Sequence, residues 1–214
     1  MITVKDYAKG LSMSDKTTIH EAEAAASEQA AELIRAWHAA QDEIAQAPVS
    51  VEGPHAELLT VEQRAQADRE QKAQRAASEA DHYRREYTAI QEERNNAVRT
   101  RTRSLHKALY AVENADLLAR AALSTDDQLR SLMDLAATTG NTELAKSAFV
   151  VAEQRGLDGV LAAYFQADPE AHALYAELQA APTEATMERR IADAATLFAA
   201  PTPADYAPAF TRMG

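Results

Sequence analysis

The chain has 214 residues, of which 49 are Ala, 6 Gly and 7 Pro, with a formal net charge of −11. It holds no Cys, which excludes disulfides, Fe–S clusters, thiolate zinc sites and cysteine nucleophiles. The acidic balance disfavours nucleic acid and anionic membranes as partners of the whole chain, and the excess of Ala over Gly and Pro favours long helices.

Residues 1–17 read as a polar arm without the apolar stretch of a signal peptide. Thr18-Ile19-His20-Glu21 has capping-box form, in which hydroxyl and carboxylate each satisfy an orphan backbone N–H. A helix is predicted from there to about Gln46, with Leu33, Trp37 and Ile44 on one stripe. The sequence PVSVEGP at 48–54 breaks it. From Pro54 to Leu123 no further Gly or Pro occurs, which predicts one helix of roughly 100 Å at ~1.5 Å per residue. Thr60-Val61-Glu62-Gln63 also has capping-box form and marks a second candidate start.

Ala73, Ala76, Ala80, Tyr83, Tyr87 and Ile90 alternate spacings of three and four, the pattern of a heptad seam. At Arg94, Ala97, Arg101 and Ser104 the register loses its apolar character, and Val98, Leu105, Leu109 and Val112 form a second stripe. The step from Arg94 to Val98 has the form of a stutter.

The last third changes texture. Ser124-Thr125-Asp126-Asp127 caps a helix to about Thr138, and Gly140-Asn141 separates it from one at 142–155 that stops at Gly156. Shorter helices are predicted at 158–167, 169–180 and 183–199, followed by a Pro-rich tail. Leu129, Leu132, Ala136, Gly140, Ala145, Phe149 and Ala152 fall at offsets that resemble a tetratricopeptide-type helical hairpin. The resemblance covers about 30 residues and does not recur downstream, so it implies two antiparallel helices with a tight turn and no array.

The expected fold is all-α: a long helical hairpin or coiled-coil stalk, then a small bundle of short helices. The expected divisions are an arm at 1–17, the hairpin at 18–123, the bundle at 124–200 and the tail at 201–214. If 18–46 folds back on 54–82, and 126–138 on 108–122, a stalk at 83–107 stays bare. Its stripe Tyr83–Tyr87–Ile90 then needs a cover, supplied by a second copy, by a partner helix, or by the chain's own termini.

Arg94, Arg99, Arg101, Arg103 and Lys107 form a basic run with no acid between Glu93 and Glu113. It suits phosphates or an acidic protein surface, but reads first as a solvated helix face or a docking strip for the acidic helices of a neighbouring subunit, such as the one with Glu21, Glu23, Glu28 and Glu32. Aromatics do not interleave it. Glu79-x-x-His82 has di-iron spacing, but its one counterpart, Glu52 to His55, sits in a Gly-Pro turn. His38 and Asp42, one turn apart, read as a surface pair. Glycine-rich phosphate loops and nucleophile elbows are absent. No metal, cofactor or catalytic residue is expected.

The expected function is that of a non-enzymatic structural or assembly protein, a homo-oligomer or a member of a larger protein assembly. Alanine-rich, arginine-over-lysine usage points to a bacteriophage virion or another bacterial assembly, in the cytoplasm. The alternative is a nucleic-acid or acidic-partner binder using residues 94–107. With no run of about 18 apolar residues, no membrane span is expected.

Overall fold

The computed structural model describes residues 17–48 and 60–207. Among these the fold is all-α with no strand: one long helix followed by shorter ones. Helix α1 is Ile19–Gln46 and α2 is Val61–Tyr110. Then come α3 (Ala115–Leu123), α4 (Asp126–Thr139), α5 (Thr142–Arg155), α6 (Asp158–Ala167) and α7 (Pro169–Gln179). Helices α8 (Glu184–Ala192) and α9 (Ala194–Leu197) precede a 3-10 turn at Pro203–Tyr206.

The long helix is shorter than expected at both ends. It starts at the second candidate cap: the Thr60 N–H donates to Gln63 Oε1 at 2.9 Å, and the Gln63 N–H donates to Thr60 Oγ1 at 3.2 Å. It ends at Tyr110 because Asn114 opens a new helix, its side chain accepting from the Asp116 and Leu117 N–H groups at 3.1 Å. A side chain that satisfies orphan N–H groups can terminate a helical run without Gly or Pro. The expected 183–199 helix is likewise divided, at Asp193.

The chain forms two compact units, whose membership does not follow sequence order. Among described residues, the first unit holds 17–20 and 97–181, and the second 21–96 and 182–207. The expected border near 123 is therefore not where the units divide. The division cuts α2 at 96/97, at the stutter between Arg94 and Val98. The stripe change thus marks a change of core: Leu109 belongs to the first unit's cluster, and Ala80 and Tyr87 to the second's.

In the first unit, sharp local signals set the helices. Thr125 and Gln128 form a reciprocal capping box, and Asn141 Oδ1 accepts from the Leu144 N–H at 3.0 Å. Gly140 and Gly156 end α4 and α5 at φ 65° and 67°, a region that costs residues with a Cβ energy. Asp168 caps α7, with Pro169 in the first turn. The resulting α4–α5 hairpin turns at Gly140-Asn141 as the spacing predicts. It buries Leu129, Met133, Phe149 and Val151 against α6 residues Val160 and Tyr164. Arg155 fastens the end of α5 to the α3–α4 connection, donating to the carbonyls of Ser124 (2.8 Å) and Ala122 (2.7 Å).

In the second unit, α1 runs antiparallel to α2. Lys72 Nζ donates to the Ala45 carbonyl (3.1 Å), Arg75 Nη2 to Glu43 (3.2 Å) and Tyr83 OH to the Ala36 carbonyl (3.4 Å). Arg94 Nε lies 3.6 Å from Glu23 Oε1. Helix α1 therefore covers α2 from about Lys72 to Arg94, not 54–82. Part of the connection between α1 and α2 (49–59), residues 1–16 of the arm and 208–214 of the tail lie outside the described residues.

Candidate docking groove and the buried seam

The candidate seam lies inside the second unit. Ala73, Ala76, Ala80 and Tyr87 are buried, and Tyr83 and Ile90 are half-buried. The buried stripe of α1 is Ile19, Ala22, Ala26, Ala30, Trp37 and Ile44, continuing the Leu33–Trp37–Ile44 pattern through alanines. Phe198, fully buried, closes the aromatic end. Its ring centroid lies 5.5 Å from that of Tyr87, 6.3 Å from Tyr83 in a stacked pair, and 6.5 Å from Trp37. Burial, then the carboxylates of Glu79 and Glu86, holds the Tyr83 hydroxyl above its ordinary pKa. Of the covers left open for the stripe, the chain itself supplies one: Trp37 and Phe198 pack on Tyr83 and Tyr87, while Ile90 stays half-buried. The sequence carries no local signal that Phe198 returns to Tyr83, because ring contacts more than 100 residues apart leave no periodic trace.

Beyond Ile90 the buried face of α2 turns polar, with Gln91, Arg94 and Asn95 almost wholly enclosed. Arg94 Nη2 donates to Asn95 Oδ1 at 3.1 Å. Arg190 Nη1 donates to both carboxylate oxygens of Glu23, at 2.9 and 2.7 Å. Two guanidiniums thus face one carboxylate. Burial and then Arg190 lower the Arg94 pKa, while Glu23 opposes them.

The basic run does not form one surface. Arg94 is buried in the second unit and Arg101 belongs to the first, where it grips Glu177 with two hydrogen bonds (3.0 and 2.7 Å). Arg99 is half-buried, and Arg103 and Lys107 are exposed. The acidic helix α1 does meet the run, within one chain, through Glu23. The sequence paired this helix with the run as a neighbouring subunit's; Glu23 meets Arg94 within one chain.

Sequence reasoning did not find an open groove on the first unit, about 570 Å³ in volume. Asp158, Leu161, Ala162, Phe165 and Gln166 of α6 line it with His172 and Tyr175 of α7. Phe165 stacks on His172 at 4.9 Å and lies 5.1 Å from Tyr175. Behind them Phe149 is fully buried and touches Tyr110, Tyr164, Phe165 and Tyr175. The lining is therefore seated on a packed aromatic core. No Lys or Arg occurs between Arg155 and Arg189, so α6 and α7 carry carboxylates alone. The signal was present as that cation-free stretch, with aromatics at 164, 165 and 175.

No group of three or more metal-ligating side chains comes together among the described residues, where no helix is long and apolar enough to cross a membrane. Comparison with known protein families, curated proteins and solved structures finds no match to this chain.

Proposed function

We propose that this protein is a non-enzymatic assembly component that docks a segment of a partner protein in the α6–α7 groove. The occupant is a segment with aliphatic or aromatic anchors flanked by Lys or Arg. The carrying observation is the groove itself, with Leu161, Phe165 and Tyr175 in its lining, Asp158 beside them and no cation on either helix. Aromatic side chains seated on a rigid core provide contact area at low entropic cost, the character of binding hot spots. The carboxylates favour a cationic flank and disfavour an acidic one. The proposed setting, a bacteriophage particle or another bacterial assembly, is supported by composition alone.

The probe is a synthetic amphipathic helix of Leu and Lys, titrated at physiological ionic strength. Ala162 is exposed in the lining, so A162R obstructs the groove without touching the core. We expect A162R to weaken binding by about tenfold or more, equivalent to ~1.4 kcal/mol. D158K should weaken it less. Equal affinity for the wild-type and A162R proteins would reject the groove as the docking site.

A further inference from the structure

We infer that the C-terminal segment, residues 182–207, is an exchangeable cover of the seam, and that a second copy of this chain can supply it. The second unit is completed by a piece that returns from far along the chain. Met187, Ala194 and Phe198 are its buried apolar anchors, while Leu197 stands 38% exposed. Its helices have nine and four residues, and α9 has no side-chain cap. It is held further by the Arg190–Glu23 pair and by Arg84 Nη2, which donates to the Phe198 carbonyl at 3.1 Å.

This interface is also where hydrogen bonding is incomplete. The buried side-chain atoms without a hydrogen bond among the described residues are Arg84 Nε, Gln91 Oε1, Arg94 Nε, which has only the ion-pair approach of Glu23 Oε1 at 3.6 Å, and Tyr206 OH. Three lie on α2 along the stretch beside Tyr87, and the fourth lies in the segment itself. Buried polar atoms left unpaired oppose burial, so the cover is held less firmly than its rings imply. What its departure would expose is Tyr83, Tyr87 and Trp37, beside an alanine stripe. The surface that fits this face is the same segment of another copy. Exchange reproduces every contact, and the chain between α7 and α8 is the hinge that must open. No disulfide opposes opening, since the chain has no cysteine.

The absence of cysteine also provides the test. Arg84 touches the Phe198 carbonyl, and Ala199 beside it is exposed. Three full-length variants are made: R84C, A199C and R84C/A199C. The two single variants are mixed at high concentration, warmed gently, cooled and treated with a short bis-maleimide. We expect a covalent species of two chains in the mixture, well above that in either variant alone. The double variant diluted from monomer should link within one chain. A mixture that gives no more linked pairs than its separate components, while the double variant links internally, overturns exchange. A double variant that does not link at all overturns the cover itself. Adding A162R to every chain leaves the linking unchanged, which separates this inference from the groove reading.

Discussion

The two units reach burial by opposite means. The first packs large side chains, with Leu109, Leu129, Met133, Phe149, Val151 and Tyr164 forming a core around short, sharply capped helices. The second buries many small ones, Ala22, Ala26, Ala30, Ala73, Ala76 and Ala80, with one aromatic knot at Trp37, Tyr83, Tyr87 and Phe198. A buried methylene contributes about 0.8 kcal/mol, so an alanine stripe yields little per residue and relies on length and close fit. The first unit is therefore sensitive to loss of volume, and the second to its gain.

The largest expected effect tests the first half of that contrast. Phe149 is fully buried at the centre of four ring contacts, and F149A should destabilise the first unit by about 3–5 kcal/mol. Urea denaturation followed by circular dichroism measures this, and a loss under about 1 kcal/mol would break the comparison.

An intermediate effect tests the second half. Ala76 has no exposed surface, so A76L overfills the packing around it, at about 1–3 kcal/mol. The chain's one tryptophan, Trp37, lies in this unit, with Tyr83 at 5.6 Å. Its fluorescence should report A76L as a lower denaturation midpoint. A stabilised A76L would mean that the stripe is loosely packed.

The smallest effect is electrostatic. The Arg101 hydrogen bonds, and then the Ile19 N–H at 2.9 Å, hold the Glu177 carboxyl below its ordinary value of 4.5, against the opposing effect of burial. With the folded pKa depressed, this contribution is fully present above the unfolded value and is lost as pH falls through the folded one. Acid titration of stability should therefore be shallower in E177Q than in the parent over that range. Equal slopes would remove Glu177 from the account.

Legibility in the sequence follows the same division. In the first unit, Thr125, Gly140, Asn141, Gly156 and Pro169 punctuate the chain, and each acts within a few residues of itself. The helices they delimit match expectation to within a residue or so. In the second, the spacing of Ala73 to Ile90 and of Leu33 to Ile44 identified which faces are buried but not against what. Alanine is common on both exposed and buried faces, so Ala22, Ala26 and Ala30 were illegible as core. The α6–α7 groove escaped notice because a concavity is a property of two helices and the core behind them. No spacing within either helix encodes it.

The sequence by itself determined the helical class, most helix ends and the position along α2 where one core gives way to another. These depend on backbone propensity, capping and periodicity, which act over one or two turns. Tertiary structure alone decided that α1 lies against 72–94, that Arg94 and Arg101 meet carboxylates of their own chain, and that Phe198 closes the seam. Those outcomes rest on contacts between residues far apart in the chain. Several partners of similar chemistry were open to each, and shape and charge in three dimensions selected among them.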